Sequence, residues 1–238
     1  QGAKISMNFP NSAGSKTGKL LPTGQVKDTI SLRDGRSVTV SLVDAANPSV
    51  FFKAEDIGLS GRELPEDCDS HPEILDIMED IRTTAAVMMK LASSKEAVGP
   101  AVPKVAMVAV AQDYPASDGS TIHAHEVDLL ARTKALATMH KTYAITGGIC
   151  IATAAMIEGT VVNELCSTRA KASGEVRIGH PSGVLELEVE VTTTAEHDWH
   201  LAQAGVSRTA RPIMDGHVFV SRKVFQSAND HGTSHPER

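Results

Sequence analysis

The chain has 238 residues, 41% of them hydrophobic, which is enough to bury a substantial core in one large domain or two small ones. Its formal net charge of −6, with no cluster of Lys and Arg, argues against a phosphate-binding face, so no nucleic-acid partner is expected. Cys68, Cys150 and Cys166 are odd in number and lack CxxC spacing, which suits a reducing compartment better than a disulfide framework or a metal site. No apolar run approaches the roughly 20 residues that cross a bilayer, so the expectation is a soluble, cytoplasmic protein with no membrane partner.

The chain opens on alternating Ile5, Met7 and Phe9, which reads as a strand already in progress, and a fragment or processed chain is expected from that start. "SVTVSLVDAANPSVFF" gives a strand over 38–43, a polar Asp44–Pro48 turn and a second strand from Val50. "HPEILDIMEDIRTTAAVMM" places Ile74, Ile77, Met78, Ile81, Ala85 and Met88 at helical spacing, with Pro72 suited to the first turn. "PKVAMVAV" is a short Val-rich run that reads as a buried strand. "EVDLLARTKALATMH", residues 126–140, reads as a second amphipathic helix with Leu129, Leu136 and Met139 on one side.

Next comes "KTYAITGGICIATAA". Thr146 is a candidate N-cap, and Gly147 and Gly148 would leave backbone N–H groups uncovered at the start of a helix over about 148–157. Such a terminus attracts a carboxylate or phosphate, although the same pattern also suits a glycine turn that lets two elements pack closely. Cys150 within this helix reads as a small buried thiol. "GEVRIGHPSGVLELEVEV" alternates Leu185, Leu187 and Val189 with Glu186, Glu188 and Glu190, as in a strand with one wet face. Before that strand, Gly179, His180, Ser182 and Gly183 set a titratable ring and a hydroxyl on a tight turn, either as a carboxylate holder or as an ordinary hairpin loop. Asp44, Asn47 and Ser49 offer a similar polar set on the earlier turn. Asp215-Gly216 is expected to be a tight turn, and the polar end "SANDHGTSHPER" a disordered tail. Strands outnumber helices without βαβ repetition, which gives an α+β class.

Seven blocks in order, "LLPTG", "VSLVDAANPSVFF", "DIGLSGRELPED", "PKVAMVAV", "TGGICIATAAMIEGTVV", "VRIGHPSGVLELEVEV" and "SRTARPIMDGHVFV", together resemble the PrpF family of 2-methylaconitate isomerases and related tautomerases. The resemblance implies a diaminopimelate epimerase-like fold, in which curved sheets each surround a central helix. It further implies that residues 1–36 are the remnant of a first domain and that 37–205 form a second, complete one. Residues 206–225 would be return strands and 226–238 the tail. The activity implied is cofactor-independent movement of a proton or double bond in an unsaturated di- or tricarboxylic acid, with no metal. The alternative is an inactive binding or assembly subunit beside a longer homologue; homodimerisation stays open. By resemblance, Asn47, Ser49, Thr146, Gly147, Gly148, Gly179, His180, Ser182 and Gly183 would bind substrate. No general base is assigned, and Thr146 stands where epimerases of this fold carry a catalytic cysteine.

Overall fold

In a computed structural model, residues 3–193 and 199–221 are described. Among the described residues, contacts group Ser6 to Arg208 as a larger unit, and residues 3–5 and 209–221 as a smaller one. The strands are β1 (Ala3–Asn8), β2 (Asp28–Ser31), β3 (Ser37–Ala45), β4 (Asn47–Lys53), β5 (Lys104–Val110), β6 (Tyr114–Pro115), β7 (Thr121–Ile122), β8 (Leu129–Ala135), β9 (Thr138–Met139), β10 (Glu175–His180), β11 (Gly183–Thr193) and β12 (Trp199–Ala210). The α-helices are α1 (Pro65–Asp69), α2 (Pro72–Met88), α3 (Ile145–Met156), α4 (Val161–Leu165) and α5 (Thr168–Ser173).

One mixed sheet runs in the order β1-β12-β11-β10-β8-β5-β4-β3-β2, with β9 paired to β8 and a separate β6-β7 ribbon. Its central strands are buried on both faces, and their alternation sorts two cores. Phe51, Ala106, Val108, Leu129 and Ala131 join Ile149, Cys150, Ile151, Ala152 and Ala155 of α3. Their neighbours Val50, Phe52, Val105, Met107 and Leu130 face the other way, onto Met78, Ile81 and Ala85 of α2. Helix α3 touches β3 and β4 near one end of the strand order and β10 and β11 towards the other, so the sheet curls around it. This is the α+β arrangement expected, a curved sheet about a central helix.

Three local expectations are corrected. Residues 129–135 and 138–139 are strands and not part of a helix over 126–140. Because β8 is covered on both faces, its apolar residues do not alternate with polar ones, and such a run cannot be told from a buried helix by period. Helix α3 starts at Ile145 and its N-cap is Ala144, so Thr146 lies inside the first turn, where its side chain does not cap. Residues 211–221 carry no regular secondary structure, so Asp215-Gly216 makes no hairpin turn. Pro212 lacks the N–H a sheet ladder requires, and Ile213, Met214, Val218 and Phe219 are exposed, with no packing to hold them as strands. Residues 222–238, and with them the expected tail, lie outside the described residues.

The chain that crosses from β8 to α5 and back to β10 is fastened by one buried carboxylate. Asp128 accepts from Ser167 Oγ at 2.6 Å, Arg169 Nη2 at 2.7 Å, Arg177 Nε at 3.0 Å and Arg177 N at 2.9 Å. Burial alone would raise its pKa; the hydrogen bonds from Arg169, Arg177 and Ser167 outweigh that and hold it far below the ordinary 3.8. A depressed carboxylate contributes stability that is present above its unfolded pKa and lost as pH falls through the folded one. Asp128→Asn is therefore expected to lower unfolding stability at pH 7 by about 2–3 kcal/mol. Urea titrations should also show a smaller further loss below pH 4 for the variant than for the parent chain.

Candidate active site

The strand directions put the β3–β4 and β10–β11 turns on one side of the sheet. Ser49 at the start of β4 is level with Lys104 at the start of β5, and Ala106 faces Thr133 near the end of β8. Strand β10 runs parallel to β8 and ends at His180, opposite Gly183. The β3–β4 and β10–β11 turns therefore lie on the same side of the sheet, with His180 level through β8 and β5 with Lys53, and the contact of Cys150 Sγ with Val43 O at 3.3 Å sets the start of α3 against β3.

At α3, the first helical hydrogen bond is Gly148 N to Ala144 O at 2.8 Å. The N–H groups of Ile145, Thr146 and Gly147 precede it, so they and the positive end of the helix dipole face outward. Thr146 is exposed, whereas Gly147 and Gly148 are buried. A Cβ on Gly148 would come within 2.7 Å of Leu185 Cδ2, so this glycine sets how closely α3 approaches β11. Cys150 is fully buried, and burial pushes its thiol up to about 12, so it is no nucleophile at neutral pH.

The β3–β4 turn is structural in its polar groups. Asp44 is buried, and its carboxylate accepts from Ser15 Oγ, Lys16 N, Thr17 N and Thr17 Oγ1 at 2.7–2.9 Å. Ala46 takes a left-handed φ of 59° between the paired Ala45 and Asn47, and its N–H donates to Ser12 O at 2.6 Å, which ties the turn to the segment after β1. Ser49 is buried and its hydroxyl is spent on Asn47 O at 3.1 Å, while Asn47 is half-buried at the start of the strand.

The β10–β11 turn is held by its carbonyls. Arg132 Nη1 donates to Gly179 O at 3.1 Å, Ser117 N and Oγ donate to Pro181 O at 2.7 and 3.0 Å, and Tyr114 Oη donates to Gly183 O at 2.7 Å. Gly183 has φ +131°, which favours glycine, and a Cβ on Gly179 would lie 2.6 Å from Leu130 Cδ2 and 3.0 Å from the Tyr114 ring. With the carbonyls of 179, 181 and 183 engaged, His180 and Ser182 carry the turn's polar side chains. Ser182 N donates to His180 Nδ1 at 3.2 Å, which puts the ring's proton on Nε2. Burial, then Arg132, then His140 lower the His180 pKa to about 4, so the ring is a neutral donor at pH 7.

The opposite bank of this turn was not legible as a site. Ser182 Oγ donates to Lys141 O at 2.6 Å, and His140 Nδ1 accepts from Thr142 N at 3.0 Å. His140 thus repeats the His180 arrangement, a ring nitrogen taking the N–H two residues on. No sequence signal marks it, because the two turns are far apart in the chain and are joined by the Ser182–Lys141 bond. The edge as a whole offers helix N–H donors and a neutral imidazole N–H, which is a set suited to carboxylates. Among the described residues no cluster of His, Cys, Asp and Glu could hold a metal ion.

Residues 1–221 match the family model described as PrpF protein. The chain belongs to the PrpF family. A 3-methylitaconate isomerase of Eubacterium barkeri is 37% identical over 220 residues, 91% of this chain and 56% of that one. A 2-methyl-aconitate isomerase of Shewanella oneidensis is 33% identical, with 92% and 56% covered, and a (4E)-oxalomesaconate Delta-isomerase of Novosphingobium sp. (strain KA1) is 31% identical, with 92% and 54% covered. The solved structure of a methylitaconate-delta-isomerase superposes with a TM-score of 0.83 at 36% identity, covering 99% of this chain and 59% of the other. The chain thus spans about half the length of the PrpF relatives it matches, and it shares their α+β fold.

The neutral His180 has a measurable consequence. Its folded pKa lies below the unfolded 6.5, so the unfolded chain binds the proton first, and stability present above pH 6.5 is lost as pH falls towards 4. Thermal unfolding of His180→Asn is expected to lose part of that slope between pH 6.5 and 4, whereas above pH 7 its pH dependence should match that of the parent.

Proposed function

We propose that this PrpF chain binds the carboxylates of an unsaturated di- or tricarboxylic acid at the edge formed by α3 and the β10–β11 turn, and that it acts in cofactor-independent isomerisation of that acid in the cytoplasm. The observation that carries the reading is the convergence of the α3 N-terminus with a neutral His180 and exposed Ser182 on one edge. The names of the relatives supply the substrate class, and the three cysteines, which remain buried thiols, support a reducing setting.

In such a reaction a base removes a proton from a carbon allylic to the double bond, and the electron pair spreads into a dienolate conjugated with a carboxylate. Return of the proton to another carbon of that system shifts or re-sets the double bond, so atoms and electrons balance without a further reactant. The protein's main task is to stabilise the anion. Fixed N–H donors at the helix start and the His180 Nε2–H act where negative charge develops, and they need no reorganisation as it forms. In this proposal Thr146 and Gly147 contribute backbone donors and Gly148 lets α3 come close to β11, while His180 donates to a carboxylate from a turn that Gly179, Ser182 and Gly183 shape, Ser182 fixing the ring through its N–H and tying the turn to Lys141 through its hydroxyl. Asn47 lines the edge, and Ser49 supports the β3–β4 turn from within. The general base is left unassigned.

Incubation with 3-methylitaconate or 2-methylaconitate in D2O, followed by proton NMR, tests the reading. Solvent deuterium is expected to enter the acid, and Ser182→Ala should slow its entry by about tenfold. Exchange that appears only when a longer PrpF homologue is added would instead favour a binding or assembly subunit. No saturable binding of either acid, alone or in the mixture, would rule out the carboxylate site.

A further inference from the structure

Arg132 is 1% exposed, carries a permanent charge, and among the described residues has no carboxylate within ion-pair distance. Its donors go to backbone carbonyls: Nε to Glu63 O at 2.7 Å, and Nη1 to Ala131 O at 3.0 Å and Gly179 O at 3.1 Å. The guanidinium stacks 5.0 Å from the centre of the Tyr114 ring, and its Nη2 is buried with no hydrogen-bond partner. A buried cation with no carboxylate bonded to it is costly, and a structural role alone would be served at lower cost by an apolar side chain. Its surroundings give it another use. Arg132 holds the carbonyl that precedes His180, while Tyr114, the ring beneath it, holds Gly183 O at the other end of the same turn.

We propose that Arg132, with Tyr114 beneath it, is the positioning residue of this edge: it locks the Gly179–Gly183 turn from behind and sets a buried positive charge there, so that His180 presents Nε2–H as a donor. This rests on the reading of His180 as a substrate-binding group. Arg132 itself touches no substrate. The groups that face His180 are Arg132 from β8, His140 from the segment after β9, and Tyr114 from β6, bonded at the same turn; Glu63 and Cys68 lie around Arg132. Arg132 disfavours a charged imidazole at His180, and His140 acts in the same direction. Glu63 is the acidic group felt by Arg132, and its Oε2 is likewise buried without a partner.

The test is the titration of the His180 ring, followed by NMR in the parent chain, Arg132→Met and Arg132→Lys, with the KM for 3-methylitaconate measured in parallel. In Arg132→Met the His180 pKa is expected to rise by about one unit. In Arg132→Lys, which keeps the charge and loses the fork, it should stay near the parent value. KM should rise about tenfold in both, with kcat less affected. An unchanged His180 titration in a folded Arg132→Met overturns the proposal. Should Arg132→Met fail to fold, Tyr114→Phe serves: it keeps the ring and releases Gly183 O, and a KM unchanged from the parent would likewise overturn the inference. If the parent turns over no acid, the isomerase reading fails, while the NMR titration still decides the role of Arg132.

Discussion

The close approach of α3 to the sheet is the constraint on which the rest of the structure depends. A helix enclosed by strands must fit between side chains from both flanks, and here Gly148, Ala152, Ala154 and Ala155 are small enough for that, with none of them exposed. At Gly148 a single methyl group would meet Leu185. Because the helix sits this deep, Cys150 can reach Val43 O on one flank, and Gly148 lies against Leu185 and Leu187 of β11 on the other. The position of the donors at the edge is thus set by packing well behind it.

Around that helix, charge is used sparingly and at fixed points. Asp128 gathers Arg169 and Arg177 to tie α5 to β10, and Lys134 of β8 reaches Glu79 of α2 at 2.8 Å across the outer core. Both are paired, as burial demands. Arg132 breaks that pattern, since it lies in β8 between Asp128 and Lys134 in the chain and makes its bonds to carbonyls. The departure from the local rule occurs behind the candidate site, where the edge has most to gain from a positive potential.

What the sequence discloses follows from how each segment is buried. Helix α2 has one buried face and one wet face, so its period shows, as does the acidic alternation of β11. Strand β8 is buried on both faces, so Leu129, Leu130 and Ala131 present no alternation and read as helix. Ala144 is a poor capping residue by type, which draws attention to Thr146 two positions too late. The motifs at 44–49, 146–148 and 179–183 are visible as turns, but where the fold places them depends on register and packing, which spacing does not encode. Arg132 and His140 give no signal at all, because their meaning comes from partners about forty residues or more away: Gly179 and Glu63 for one, the Ser182–Lys141 bond for the other.

The three engaged carbonyls of the β10–β11 turn bear on kinetics as well as geometry. Gly179, Pro181 and Gly183 are held by Arg132, Ser117 and Tyr114 before any ligand arrives, so the loop has little freedom left to lose on binding. A recognition element ordered in advance incurs no ordering cost at encounter. Under the proposed function, acids that differ by one methyl or one carboxylate would meet the same rigid edge at similar rates, and discrimination among them would fall in how long each one stays.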